Sequence, residues 1–188
     1  ARRATGPVLR AIFESFVVDE ERHARVAVRL ARHYDVRRLR RYRVDPHLAS
    51  FREPFLRAIR DLDDDVANAY ITGGELLLDI ALLRSIDDFV SDDMSHVAME
   101  LINRDESRHI AIDYHMSEYY GSDEFAARLA TEPEKPIEER ARGAATFARM
   151  LYLGQPFIKD VFLAPMAHLD PKGKRLREAF KRMQILGM

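Results

Sequence analysis

The chain has 188 residues, 47% hydrophobic and 32% charged, enough apolar material for one domain with a buried core, which excludes a disordered or low-complexity chain. Its formal net charge of −1 excludes a protein that binds nucleic acid through bulk charge. The absence of cysteine excludes disulfides, thiolate catalysis, iron–sulfur clusters and Cys-ligated zinc, and fits a cytoplasmic protein.

Helix-favouring Ala, Leu, Arg and Glu dominate, and only 8 Gly and 8 Pro interrupt them, so the pattern predicts an all-α chain without strands. Gly6-Pro7 starts a first helix over about Val8 to His33. A basic connection, 35–47, ends at Asp45-Pro46, and a short helix comes next over about Ser50 to Arg60. A long helix spans about Asp63 to Val90. Ser91 or Asp92 caps the next one, which runs to Tyr120 and stops at Gly121. A short helix covers about Asp123 to Ala130, and another runs from about Ile137 to Leu153. Pro156 and Pro165 are expected to kink or break the segment beyond Leu153, before a last helix over roughly Lys172 to Ile185. No unbroken apolar run approaches the roughly 18 residues of a membrane helix. Ala1-Arg2-Arg3-Ala4 has no apolar stretch behind it to make a signal peptide. Neither a membrane nor nucleic acid is therefore expected as a partner.

Two seams with three- and four-residue steps face a bundle core. One is Phe13, Phe16, Glu20, His23, Ala27, Leu30 and Tyr34. The other is Met99, Ile102, Glu106, His109, Asp113, Met116 and Tyr120. Both carry ionisable residues in a core stripe, where an unpaired charge costs several kcal/mol. Glu20 and His23 lie three apart on one face, and Glu106 and His109 repeat the spacing. The surroundings repeat as well: 19–23 and 105–109 both read Asp-Glu-x-Arg-His. Chance yields such a second copy on the order of once in a thousand chains of this length.

A pair of metal ions explains the repeat, because imidazole nitrogens and shared carboxylates hold cations that neutralise the buried charge. Glu75, on the seam Ile71, Glu75, Leu78, Leu82, Ile86, Phe89, is the candidate lone glutamate. It lies 55 residues after Glu20 and 31 before Glu106, a spacing that suits mid-height on a helix antiparallel to the next. Asp19 and Asp105 are expected to orient the ligating histidines in a crossed pattern, Asp105 to His23 and Asp19 to His109. Asp113 is a further candidate for that role, and Arg22 and Arg108 offset the excess negative charge. Thr72-Gly73-Gly74, one turn before Glu75, either opens room beside the metals, marks a π-bulge or lets another helix pack closely. Thr72 is a candidate catalytic group there. His33, His47, His96, His115 and His168 read as ordinary histidines. The series Phe147, Met150, Leu151, Phe157, Phe162 reads as core more than pocket. The run 37–43, Arg-Arg-Leu-Arg-Arg-Tyr-Arg, reads as a solvated connection, with docking of an acidic carrier protein as the sharper alternative.

At Glu20/His23, Glu75 and Glu106/His109 the chain resembles the ferritin-like di-iron carboxylate superfamily. The motif wording is similar to that of soluble acyl-carrier-protein desaturases, and the spacings are similar to those of the p-aminobenzoate N-oxygenases. Those N-oxygenases carry an additional histidine four residues before the second motif's glutamate, where this chain has Ile102. The resemblance implies a ferritin-like four-helix bundle with additional C-terminal helices, residues 1–188 forming a single domain. It also implies a first ligand glutamate on an upstream helix, for which the 19 residues before Glu20 are too few and Glu14 lies off the seam. The implied activity is that of a non-heme di-iron oxygenase with two iron ions, or manganese on the same donors. Its implied partners are dioxygen, an electron donor, a small or carrier-bound substrate, and a second copy in a homodimer. The implied alternatives are a desaturase-like enzyme and a non-catalytic iron-binding protein.

Overall fold

The computed structural model describes residues 6–41 and 43–185, and among them every regular element is helical. Helix α1 is Pro7–His33, entered through Gly6 with Pro7 in its first turn. Helix α2 is Pro46–Asp61, longer than expected, because Pro46 opens the helix instead of closing the connection. The side chain of Asp45 caps it by accepting a hydrogen bond from the backbone N–H of His47. Helix α3 is Asp64–Phe89. It is α-helical over Asp64–Glu75, π-helical over Leu76–Leu83 and α-helical again over Arg84–Phe89. Helix α4 is Asp93–Tyr120, capped by Asp92 and ended at Gly121, and α5 is Asp123–Thr131.

Helix α6 covers 137–169; Pro156 and Pro165, expected to kink or break this segment, do not break it. Pro156 ends the α-helical Ile137–Pro156, and π-helical Phe157–Leu163 leads on to Ala164–Leu169. Wider turns accommodate the proline's missing N–H and its ring without ending the helix. Helix α7 is Lys174–Ile185. Tyr42 of the basic connection lies outside the described residues, and Arg37, Arg38, Arg40, Arg41 and Arg43 around it are exposed.

Two apolar clusters hold the helices. Leu76, Ile80 and Ala81 of α3 pack with Ile110 of α4, Phe162 and Met166 of α6, and Ala179 of α7. Ala58 and Leu62 pack with Met150 of α6, edged by Phe51, Phe55 and Tyr70. Each fully buried Leu or Ile contributes about 1.5–3 kcal/mol. Gly154 lets α6 approach α2 closely, since a Cβ there would lie 3.3 Å from the Phe51 ring. Phe51 also stacks on Phe157, ring centres 4.8 Å apart. Of the aromatic and aliphatic series on α6, Met150 and Phe162 are core, whereas Phe147 and Leu151 are exposed.

The π turns correct the seam expected for α3. An extra residue rotates everything beyond it by roughly 100°. Leu78 and Phe89 therefore face solvent, and Leu76, Asp79, Ile80 and Ser85 are buried instead. Helix α3 is also long and apolar enough to cross a membrane by length and composition alone. Glu75 and Asp79 interrupt its middle, so it contains no unbroken apolar run of that length. Helix α1 is different from the others in its packing: its only buried residues are Asp19 and His23.

Candidate metal centre

The two Asp-Glu-x-Arg-His segments meet face to face. Asp19 lies beside His109 and His23 beside Asp105, so α1 and α4 run antiparallel at this level. Helices α3 and α4 are antiparallel as well, since Asn68 pairs with Ser117 and Glu75 approaches Glu106. Three helices thus present their ionisable side chains to one interior point.

The crossed histidine contacts are present. His23 Nε2 lies 3.3 Å from Asp105 Oδ2, and His109 Nε2 lies 3.4 Å from Asp19 Oδ2. Arg22 donates to both Asp19 and Asp105, the latter at 2.7 Å. Arg108 also donates to both, at 3.0 Å to Asp19 and 2.9 Å to Asp105. Two carboxylates and two guanidiniums therefore form a closed ring behind the histidines. Burial pushes the Asp105 carboxyl up, but the hydrogen bond with His23 and the two arginine charges outweigh it and hold the group below its usual range.

With Nε2 engaged on each ring, Nδ1 points the other way, toward Glu106. His23 Nδ1 is 2.7 Å from Glu106 Oε1, and His109 Nδ1 is 2.9 Å from Glu106 Oε2. Glu20 Oε1 lies 3.3 Å from His109 Nδ1 and 3.9 Å from His23 Nδ1. Glu20 and Glu106 do not share one environment, as the seams implied. The Glu106 side chain is 6% exposed and the Glu20 side chain 56%. The short distances are not matched by hydrogen-bond direction: His23 Nδ1 and Glu106 Oε2 are buried without a correctly aimed partner. Burial opposes the His109 imidazolium, but Glu106, Glu20 and Asp19 around it overcome that and raise the group to about 10.

Glu75 is half-buried, and burial pushes its carboxyl up, an effect that the charges of Glu106 and Glu20 reinforce. Beside it is Asp79, a residue that the sequence pattern does not single out. Oxygens of Glu75, Asp79 and Glu106 lie within 4.8 Å of one another, and so do ligand atoms of Glu20, Glu106 and His109. Glu106 belongs to both groups. Burial and the nearby carboxylates push Asp79 up to about 10. A four-residue step from Glu75 was the available signal for Asp79. The expected seam took the three-residue step to Leu78; both steps suit an α-helix, and the π turns that begin at Leu76 leave Leu78 exposed and Asp79 buried.

Asp113 is buried, but it reaches neither histidine's Nε2; those atoms are taken by Asp19 and Asp105. Its Oδ2 meets no donor, and burial with the Glu75 charge raises it to about 7. It lines a cavity of about 600 Å³ together with Glu75 and His109. Phe13 and Phe16 of α1, Ile71 of α3 and Met116 of α4 supply apolar wall, and Tyr119, Glu124 and Arg128 are polar groups on it. The Phe16 ring lies 3.9 Å from that of His109. His115, read as an ordinary histidine, is exposed and lines the same cavity. Thr72 does not line it. The threonine is fully buried, and its hydroxyl accepts from Asn68 at 3.4 Å, so a catalytic part for Thr72 is not supported by its position. Beside it, a Cβ at Gly74 would meet nothing within 4 Å, so close helix packing does not explain that glycine.

The donor set suits a hard or borderline divalent cation, since it consists of carboxylate oxygens and imidazole nitrogens. The misdirected His23 Nδ1 and Glu106 Oε2 are the atoms such an ion would satisfy. No protein-family model, curated protein or solved structure matches this chain.

Proposed function

We propose that the chain is a ferritin-like helical bundle that holds two iron ions through Glu20, His23, Glu75, Glu106 and His109 and acts as an oxygenase on a small organic substrate. The observation that carries this reading is the convergence of both His Nδ1 atoms on Glu106 beside a substrate-sized cavity that reaches Glu75 and His109. When bound, the iron pair would supply reductive activation of dioxygen for N-oxygenation or C–H hydroxylation.

The chain's own residues do the positioning. Asp105 and Asp19 hold the two imidazoles so that Nδ1 faces inward, and Arg22 and Arg108 hold those aspartates in turn. Phe13, Phe16, Ile71 and Met116 keep part of the cavity wall dry next to the reacting centre. Asp113, buried on that wall with its Oδ2 facing no donor, is placed to hold and return a proton during turnover. The carboxylates at the middle of α3 face this cluster and not lipid, which supports a non-membrane reading of that helix.

The test is oxygen uptake by the protein loaded anaerobically with Fe(II), measured against the same Fe(II) in buffer. Faster uptake that is lost in His23→Ala/His109→Ala supports the oxygenase. Iron that binds tightly without accelerating oxygen uptake would leave a non-catalytic iron-binding bundle.

A further inference from the structure

Asp79 stands outside both repeated motifs, yet it is among the most enclosed ionisable groups of the chain, at 4% exposure. A buried aspartate ordinarily caps a helix or pairs with a cation. Asp79 does neither. It sits in the middle of α3, within the π turns of Leu76–Leu83. The charges that act on it most strongly are those of Glu106, Glu75 and Glu20, all carboxylates. Its Oδ2 is buried and meets no hydrogen-bond donor. An oxygen of this carboxylate lies within 4.8 Å of oxygens from both Glu75 and Glu106. Glu106, whose own Oε2 lacks a directed partner, turns at the same time to Glu20 and His109. Four carboxylates from three helices crowd together; without a cation they must share protons, as Asp79 and Glu75 do through their side-chain hydrogen bond, and a cation would take the place of those protons.

We propose that Asp79 is a metal ligand: with Glu75 and Glu106 it forms a carboxylate position for one divalent cation, next to the Glu20–Glu106–His109 position of the other. The inference rests on the two-metal reading above and adds the donor that the repeated motifs lack. With it, helices α1, α3 and α4 present four carboxylates and two imidazoles without a ligand from any further helix. Glu75 and Asp79 are four residues apart, so one helix face offers two oxygen donors to the same ion.

Manganese(II) is the probe, since it takes the same donors and its binding is read by the loss of the free-ion electron paramagnetic resonance signal. The wild-type chain is expected to bind about two ions as a magnetically coupled pair, and Asp79→Asn about one, uncoupled. Melting of the two metal-free proteins guards against misfolding. The amide removes a crowded carboxylate, so Asp79→Asn is expected to melt no lower than wild type. Two coupled ions in Asp79→Asn would overturn the inference and leave the two-metal reading standing. A metal-free Asp79→Asn that melts lower than wild type while still binding two coupled ions would do the same, making Asp79 a structural partner of Glu75. No manganese or iron on the wild-type chain would overturn both.

Discussion

The same five-residue pattern occupies two different environments in this molecule. In α4, Asp105 to His109 sits on a helix whose inner face is buried from Met99 through Met116, and Glu106 is enclosed. In α1, Asp19 and His23 are the two buried residues, Phe13 and Phe16 are half-buried, and Glu20 is more than half exposed. The histidine and aspartate of both copies are nonetheless buried in matched, crossed contacts. The repeat specifies the pairing, whereas burial of the glutamate is decided by what else each helix packs against. Apolar burial holds α4, whereas α1 is held by the charged contacts of the site together with half-buried Phe13 and Phe16, the latter against His109.

The largest expected effect separates these two modes of attachment. Met99→Ala empties a position 2% exposed on α4 and should cost about 2–5 kcal/mol in chemical denaturation. Val18→Ala on α1, 60% exposed, should stay within about 0.5 kcal/mol. Comparable losses at the two positions would break the contrast.

The crossed contacts predict symmetry where the glutamates predict asymmetry. Asp105→Asn and Asp19→Asn should each weaken metal binding by roughly 10- to 100-fold, measured by calorimetric titration, because each leaves one histidine unoriented. A loss confined to one of the two would show that the ring of Asp19, Asp105, Arg22 and Arg108 does not act as a unit.

The pH dependence of the metal-free protein tests the same charge arrangement. His109 is raised from its ordinary 6.5 to about 10, so its contribution is complete below 6.5 and is lost as pH rises toward 10. Asp79, raised from 3.8 to about 10, and Asp113, raised to about 7, act in the same direction, because the folded state retains protons that the unfolded chain releases. The melting temperature of the metal-free protein should therefore fall between pH 6.5 and 9. Metal uptake should strengthen over the same interval, since binding displaces those protons. A metal-free melting temperature that rises over this interval would contradict the charge arrangement of the site.

Much of this was legible in the chain. Gly6-Pro7, Asp92 and Gly121 mark real helix boundaries because capping chemistry is local. The α4 seam, Met99 to Met116, is buried because period 3.6 holds along an unbroken α-helix. The features that were not legible depend on tertiary context. The π turns of α3 rotate Leu78 outward and Asp79 inward, and a fixed period has no means of registering an extra residue. The exposure of Glu20 comes from the sparse packing of α1, which its own amphipathic pattern does not reveal. The continuation of α6 through Pro156 likewise depends on π turns that no local signal announces.

If the two repeated motifs build one two-metal centre around Glu106, anaerobic Fe(II) titration of the full chain will show it in the number of ions bound. The expected result is about two ions on the wild type, none on Glu106→Ala, and residual uptake of about one on Glu20→Ala, whose side chain lies at the edge. Failure of the wild type to take up iron, or two ions still bound by Glu106→Ala, would contradict it and make the convergent residues a buried network of ion pairs.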